Sequence, residues 1–513
     1  MTATAALLLV ALLAPLAAAL ATLGWPEPTP PGRLVPSGLR WRRAAMLAAG
    51  AVTAVCTLAL AALVQRGETH TLSLLQLTPH TWLTLRVDAA GALYAATAAV
   101  LWLLALVYAV GYLHGPRLGR VHAALMVCLA AAIGVAYAGN LLTFFVFYEL
   151  LSVLTYVLVV HDETPAALAA GLKYIVYVLF GGSLVLAGVL LTFALAGDLS
   201  FTVGGVFAAD ASANALRVAF ACFALGFGVK AALMPLHGWV ADAHPAAPAP
   251  CSALLSGVLV AAGGFGLVRV CFEVFGVATL HSLGVMPWLG AAAAVTIVVA
   301  ALLALQQDDL KRRLAYSTVS QMGYLTLALA LLGPIATAGA LVHLVHHAFL
   351  KGTLFFCAGS FAHATGRRGM GSLAGLAART PVTAAAFTLA TLGMIGVPPL
   401  SGFVSKWWLG VGMLESSAPA TLALLLIGAL LAAGYLLPVV FTLYFAKGVT
   451  RPPGVAPKPG VATRSFEVEH RPPLLVAITV AAALTLVLGM AASAAGFPLA
   501  LARQAAATFF GGG

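Results

Sequence analysis

Long apolar stretches separated by short polar loops are the feature that most constrains how this chain can fold. A transmembrane helix needs about 20 mostly apolar residues. The sequence contains fourteen such stretches, at 3–23, 43–64, 89–112, 120–138, 140–160, 166–195, 215–236, 251–272, 284–305, 314–332, 335–362, 382–411, 419–445 and 473–494. Only 8% of the 513 residues are charged, too few to cover a water-soluble protein of this length. We therefore predict an all-α polytopic membrane protein with about 14 transmembrane helices.

The basic residues of the loops predict which side of the membrane each loop faces. An even number of spans places both termini on the same side. If that side is outside, the inner loops hold eighteen basic residues: Arg33, Arg40, Arg42, Arg43, Arg117, Arg120, Lys173, Lys311, Arg312, Arg313, Arg367, Arg368, Arg379, Lys447, Arg451, Lys458, Arg464 and Arg471. The outer loops then hold five: Arg66, Arg86, Arg217, Arg269 and Arg503. Because cytoplasmic loops carry the excess of lysine and arginine, we predict a multi-pass protein of the cell inner (plasma) membrane with both termini outside.

Three lysines, Lys230, Lys351 and Lys406, lie within predicted spans and are counted with no loop. Every arginine is counted with a loop, and those inside the bounds given above lie within three residues of the end of a span. A charge at the bilayer centre costs at least about 2.5 kcal/mol, so a lysine kept there needs a use. A buried lysine can bind and release a proton, whereas an arginine stays charged. The pattern favours proton transfer. In the alternative, each lysine forms a structural ion pair or extends its charge to the membrane interface.

Glu149 is the one acidic residue in the middle of a predicted span. Its candidate partner is a lysine on a neighbouring helix, either Lys230 or Lys173. A carboxylate that approaches a lysine raises the lysine's proton affinity, and a carboxylate that withdraws lowers it. Lys173 lies two turns into the span 166–195, where an interfacial position is an equal alternative.

His343, His347 and Lys351 are spaced four residues apart in the eleventh span. This spacing places them on one face of a helix, roughly 6 Å from one to the next. Two histidines and a lysine in register, without an acid, predict a proton pathway rather than a metal site, because a nearby cation works against metal binding.

Prolines are expected to break the seventh and twelfth spans close to their lysines. Pro235 follows Lys230 by five residues, and Pro398 and Pro399 precede Lys406. A proline inside a helix leaves backbone groups that lipid cannot satisfy, so the breaks are expected to line polar cavities.

The two breaks lie five spans apart, and an odd offset reverses the direction of the chain through the membrane. This arrangement predicts two inverted five-helix repeats, as in many transporters. We divide the chain into residues 1–113 with helices 1–3, 114–274 with the first half-channel, 275–446 with the second, and 447–513 with a cytoplasmic loop and helix 14.

Five ordered motifs between residues 85 and 450 resemble a known family. They are FYELLSVLTYVLV at 147–159, GVKAALMPLHGWVADAHPAAPAPCSALLSG at 228–257, QQDDLKRRLAYSTVSQMGY at 306–324, HLVHHAFLKGTLFFCAGSFAHATG at 343–366 and GVPPLSGFVSKWW at 396–408. The family comprises the antiporter-like, proton-conducting subunits of respiratory complex I, Mrp cation/proton antiporters and membrane-bound hydrogenases, including formate hydrogenlyase. The resemblance implies two half-channels joined by a hydrated axis, built from Glu149, Lys230, His343, His347, Lys351 and Lys406.

One departure from the family pattern lies in the eighth span. The family often has a lysine in mid-membrane there, whereas this chain has Ala261, with Ser256 upstream. Two alternatives remain open: water near Ser256 and His347 links the half-channels, or the halves are uncoupled and only one conducts.

We predict a proton-translocating subunit of a larger complex of complex I or hydrogenase type, with other membrane and peripheral subunits as partners. The chain has no GxGxxG element, Walker loop or cysteine cluster, so we expect no cofactor or metal and assign any redox chemistry to partner subunits. Its basic residues are scattered, which argues against nucleic-acid binding. The alternatives are Na⁺ or K⁺ exchange against protons in an Mrp-type assembly, a subunit for inorganic-carbon uptake, and a proton-inactive scaffold or quinone-site subunit.

Overall fold

The computed structural model describes residues 2–24, 37–79, 81–115, 117–446, 471–494, 496 and 498–511, and these residues are mainly helical. The first helices are α1 (Ala3–Gly24), α2 (Ser37–Gln65), α3 (Ala89–Tyr112), α4 (Leu118–Ala136), α5 (Leu141–Val159), α6 (Pro165–Ala196), α7 (Ala213–Lys230), α8 (Val240–Ala246), α9 (Ala249–Leu254) and α10 (Ala261–Arg269). The later ones are α11 (Val277–Leu283), α12 (Met286–Leu305), α13 (Leu310–Ala330), α14 (Pro334–Thr365), α15 (Pro381–Ile395), α16 (Ser401–Glu415), α17 (Pro419–Phe445), α18 (Pro472–Met490) and α19 (Pro498–Phe510). The predicted loop 447–472 lies almost wholly outside the described residues.

The structure confirms an all-α membrane fold. Within the described ranges, 12 helices are long and apolar enough to cross a membrane. The two other predicted spans have physical reasons to fall short. Helix α13 begins with three basic residues and carries many hydroxyl groups, and the stretch 382–411 is divided into two helices of 15 residues each, α15 and α16.

A β-hairpin between α2 and α3 was not predicted from the sequence. Its strands, β1 (His70–Thr78) and β2 (Thr81–Val87), pair antiparallel. Each strand is far shorter than a membrane span, so a search for long apolar stretches passes over it. Alternation of apolar and polar residues in this segment is the strand pattern that could have revealed it.

Helix α14 lies inside the bundle and is buried from Ala336 to Phe361. It packs against α3, α9, α13, α15, α16, α18 and α19. The eighth predicted span is also buried throughout and consists of α9 and α10 with two π-helical turns, Leu255–Leu259 and Val270–Phe275. Both elements therefore lie away from lipid, where polar side chains can be shielded.

Both predicted breaks occur next to a lysine. Helix α7 ends at Lys230, so the predicted span 215–236 does not continue as one helix, and Pro235 lies in the turns that lead to α8. Helix α15 ends before Pro398 and Pro399, and Lys406 lies in the second turn of α16. Gly263 of α10 fits against the end of α7, where a Cβ atom would come within 2.7 Å of the Phe227 carbonyl oxygen.

Candidate functional site

Lys230 is the last residue of α7, and its side chain is only 1% exposed. Its ammonium donates hydrogen bonds to Ser152 Oγ (3.0 Å) and to the Tyr174 hydroxyl (3.1 Å). It also lies 6.0 Å from the ring centre of Tyr148 and 5.5 Å from that of Tyr174. Hydroxyl groups and aromatic faces therefore solvate this charge, as cation–π contacts can do away from water.

Glu149 does not form the expected direct ion pair with a lysine. The described residues contain no such contact, although Glu149 and Lys230 lie within electrostatic range of each other. The Glu149 carboxylate instead rests against Gly182 of α6, where a Cβ atom would come within 2.8 Å of Oε2 and closer still to Oε1. A glycine at this point leaves the space that the carboxylate occupies, and Oε1 has no hydrogen-bond partner among the described residues.

Lys173 lies apart from Glu149, at one end of the bundle. Its ammonium pairs with Asp242 at 2.7 Å, and Arg312 pairs with the same carboxylate. The Lys173 side chain is 42% exposed and lines a cavity of about 500 Å³ together with Asp242 and Arg312. The interfacial alternative therefore describes its position, and the expected pairing with Glu149 does not occur.

His343, His347 and Lys351 follow one another along α14, as their spacing of four residues predicts. The ring centres of His343 and His347 are 6.1 Å apart. His343 Nδ1 lies 3.1 Å from Ser405 Oγ. Lys351 is fully buried and donates to Ser317 Oγ (2.6 Å) and to the Leu314 carbonyl (2.9 Å). This lysine is thus bound by α13 and faces no carboxylate partner within the described residues.

Lys406 contacts the end of the helix that precedes it. Its ammonium donates to the carbonyl oxygens of Met394 (2.6 Å) and Ile395 (2.8 Å), the last two residues of α15. It also lies 5.7 Å from the ring centre of Tyr324. The carbonyls at a helix C-terminus carry partial negative charge and lack partners inside the helix, so the break supplies the groups that hold this charge.

Two buried basic residues near Lys351 were missed by sequence reasoning. His244 is fully buried, its ring is stacked on Phe355, and neither ring nitrogen has a partner among the described residues. Lys311, which the sequence analysis assigned to a loop, is 3% exposed and donates to the Ala247 carbonyl at 2.7 Å. Both lie at the ends of short or weakly apolar helices, where a hydropathy count does not distinguish buried from exposed positions.

Two arginines assigned to outer loops belong instead to a partly buried ionic network near the hairpin. Arg269 is 1% exposed at the end of α10 and donates to Asp88 (2.8 and 2.9 Å) and to Glu273 (2.7 Å). Arg86 pairs with the same two carboxylates and donates to the Phe201 carbonyl at 2.6 Å. Counting Arg269 with an outer loop is therefore wrong, since this arginine lies inside the buried eighth span, where two carboxylates compensate its charge.

Comparison with known proteins identifies the family. The sequence model described as "NADH:quinone oxidoreductase/Mrp antiporter, TM" matches residues 138–432. The chain belongs to this family of antiporter-like membrane subunits. The match spans more than half of the chain and contains most of the candidate site, which confirms the resemblance seen in the sequence motifs.

Relatives of this antiporter-like chain come from several kinds of complex. It is 35% identical over 453 residues to NADH-quinone oxidoreductase subunit N of Desulforudis audaxviator, covering 87% of this chain and 88% of that one. It is 32% identical over 364 residues to Hydrogenase-4 component B of Escherichia coli, covering 67% of this chain but only 53% of that longer relative. These relatives are subunits of multisubunit complexes.

Solved structures share the fold of this antiporter-like chain along its whole length. The Mrp complex from Dietzia sp. DQ12-45-1b has a chain with a TM-score of 0.84 and 23% identity, covering 99% of this chain and 98% of that one. Respiratory complex I from Thermus thermophilus with bound NADH has one with a TM-score of 0.78 and 23% identity, covering 99% and 100%.

The departure at Ala261 lies in the buried eighth span of this antiporter-like subunit. Ala261 is fully buried at the start of α10. Ser256, one turn earlier, lies 2.7 Å from Thr318 Oγ1, and Thr318 follows the serine that binds Lys351. The eighth span thus contacts α7 through Gly263 and α13 through Ser256, although its own mid-membrane position carries no titratable group.

Proposed function

We propose that this chain translocates protons as the antiporter-like membrane subunit of a complex I-type or hydrogenase-type assembly. The observation that carries the proposal is the burial of Lys230, Lys351 and Lys406 in apolar helices, each bound by hydroxyl or carbonyl groups and none by a carboxylate among the described residues. An ammonium held by neutral acceptors can lose its proton without leaving an unpaired carboxylate behind. A lysine in such surroundings can gain and lose a proton during transport.

In the first half, within 114–274, protons would pass between the Lys173–Asp242 cavity and Lys230. Ser152 and Tyr174 contact Lys230 directly, and their hydroxyl groups can both donate and accept. Glu149 lies within electrostatic range and can bias the charge state of Lys230 without touching it.

In the second half, within 275–446, Lys351, His347 and His343 form the route along α14, and Lys406 ends it at the broken helix. His343 approaches Lys406 through Ser405, the residue that precedes this lysine in α16. The two halves carry their lysines next to helix breaks near Pro235 and near Pro398 and Pro399, which supports an inverted-repeat plan.

Proton translocation can be measured on the assembled complex in closed vesicles with a pH-sensitive dye. We expect turnover of the complex to acidify or alkalinise the vesicle lumen in sodium- and potassium-free buffer. A strict requirement for either cation, with proton flux in exchange for it, would favour the Mrp-type alternative. Turnover without any proton flux would favour a scaffold role.

Both termini are proposed to lie outside the plasma membrane, as the basic-residue count indicates. A cysteine at Gln76, exposed on β1, is then expected to react with an impermeant maleimide added to intact cells. A cysteine at Lys458, which lies outside the described residues, is expected to react only after the cells are opened. The wild-type chain is the background control, because its free cysteines are all at least partly buried. The reverse labelling pattern would contradict the proposed topology and place both termini inside.

A further inference from the structure

A cluster of five aromatic rings fills the space between Lys230 and the hairpin end of the first half. We call these residues the aromatic plug; they are Tyr148, Phe227, Phe144, Phe265 and Phe201, and each is at most 4% exposed. Tyr148 faces Lys230. Ring-centre distances of 5.3 Å from Tyr148 to Phe227 and 5.7 Å from Phe227 to Phe144 continue the cluster away from it.

Phe144 is the hub of the aromatic plug, because its ring contacts all four others. Its centre lies 6.1 Å from that of Tyr148, 6.2 Å from Phe201 and 6.3 Å from Phe265. The four phenylalanines carry no polar side-chain atom, so a water molecule among them would find few of the two to four partners that buried water needs.

An arginine cap covers the far side of the aromatic plug. We use this name for the network of Arg86, Asp88, Arg269 and Glu273. The Arg269 guanidinium lies 5.0 Å from the ring centre of Phe265 and 5.5 Å from that of Phe201. The last rings of the plug therefore pack directly against a fixed positive charge.

The Asp88 carboxylate of the cap is a poor proton acceptor near neutral pH. Asp88 is the N-cap of α3, just outside the span, and accepts from the Gly91 backbone N–H at 2.8 Å. Burial alone raises the pKa of Asp88, but Arg269 and then Arg86 outweigh burial and lower it to about 2. A guanidinium likewise cannot release its proton, so neither Asp88 nor the two arginines of the cap relay one.

The opposite side of Lys230 has a different character. The Lys230 ammonium donates to Ser152 and Tyr174, and Tyr177, one turn further along α6, lies close to Gly238 with Lys173 beside it. Beyond them lies the cavity of about 500 Å³ that contains Lys173 and Asp242. Among the described residues, the side chains that accept hydrogen bonds from Lys230 thus lie on the side of this cavity and not on the side of the plug.

From this contrast we infer that the aromatic plug and the arginine cap form a proton seal, which prevents Lys230 from exchanging protons with the hairpin side of the membrane. The inference rests on the proposed proton-translocating function. A proton cannot rest among apolar rings without water or a polar partner, and the arginines of the cap, held in ion pairs by Asp88 and Glu273, cannot pass one on. The seal keeps the first half open to a single side, which transport against a gradient requires.

Replacing Phe144 with serine tests the seal, because it removes the hub ring and adds a hydroxyl that can hold water. The complex is reconstituted into vesicles without substrate, a pH gradient is imposed, and its decay is followed with a trapped dye. We expect the gradient to decay about tenfold faster than with the wild-type complex. Phe227→Ser, which removes the ring nearest Tyr148, is expected to act in the same direction.

Phe387→Ser is the matched control. Phe387 is equally buried but packs against Phe361 in the second half, away from the plug. The control creates a similar loss of packing, and the gradient is expected to decay at the wild-type rate. Wild-type decay in both Phe144→Ser and Phe227→Ser, in complexes that are assembled and turn over, would overturn the inference.

A double variant separates the seal from the function on which it rests. If protons leak through Lys230, adding Lys230→Met to Phe144→Ser should return the decay to the wild-type rate. If the fast leak persists in the double variant, the plug is a barrier, but the protons do not pass through Lys230. That result would contradict the proposed role of Lys230. In a third outcome, the Phe144→Ser complex shows no added proton leak, but Lys230→Met still abolishes pumping. This result would support the proposed function and reject the seal.

Discussion

Replacing Lys230 with methionine is expected to abolish proton translocation by the assembled complex, with a loss of at least about a hundredfold. Methionine keeps much of the volume and apolar length of the side chain but has no group that binds a proton. The Tyr174 hydroxyl already donates to the Ser152 main-chain carbonyl at 2.7 Å, and the Ser152 hydroxyl can bond to the Tyr174 oxygen or to water, so the fold is expected to persist. Pumping in vesicles and assembly on a native gel measure the two effects separately.

Lys230→Arg provides the sharper comparison. Arginine keeps the positive charge but does not release its proton at any physiological pH. We expect it to fail as completely as methionine. Near-normal pumping by the arginine variant would mean that Lys230 acts only as a fixed charge, and the proton-transfer role would be wrong.

Glu149→Gln is expected to abolish translocation as well, and Gly182 offers a test of why. A methyl group at residue 182 would occupy the place of the Glu149 carboxylate, so Gly182→Ala should reduce pumping strongly. Adding Glu149→Asp shortens the acid by one methylene and withdraws it from the new methyl group. Partial recovery in this double variant would identify carboxylate placement, rather than helix packing, as the cause.

Ala261→Leu is expected to block translocation if water links the two halves at this position. On this hypothesis the small side chain of Ala261 leaves room for water near Ser256 and His347, and leucine would fill that room. Ala261→Lys, in contrast, restores the group that related chains often have, and is expected to be tolerated. Pumping driven by the complex is the measurement for both variants.

Ala262→Leu is the matched control for this prediction. Ala262 is the next residue of the same helix and is equally buried. Overpacking costs typically about 1–3 kcal/mol at either position, so damage to the fold should be similar. Equal pumping in the Ala261→Leu and wild-type complexes would rule out a water link at residue 261.

Most of the membrane fold could be predicted because apolar length is a direct physical requirement of a bilayer. The breaks near Pro235 and Pro398 were predictable for a similar reason, since proline removes a backbone donor wherever it lies. The hairpin at 70–87 was missed because its strands satisfy their hydrogen bonds with each other and need no long apolar stretch.

The sequence could indicate which residues form the candidate site, but it could not indicate which groups they contact. Lys230, Lys351 and Lys406 stand out because a lysine in an apolar stretch is unfavourable wherever the helices pack. What each lysine binds depends on tertiary structure, so the sequence left Lys230 and Lys173 as alternative partners of Glu149, which contacts neither. Arg269 was misassigned because its compensating charges come from residues 88 and 273, one of them far away in the chain.

The contacts of Lys406 have a consequence for how this subunit is studied by mutagenesis. Its ammonium is held by two carbonyl oxygens of the main chain, and every amino acid carries the same carbonyl. A scan that replaces each acidic side chain in turn would therefore find no partner for this lysine, although two hydrogen-bond acceptors are present. Substitutions at Met394 or Ile395 would leave it in place too, and only changes that move the end of the helix would remove it. Side-chain substitution therefore cannot detect this part of the proposed proton pathway, because its position depends only on where a helix ends.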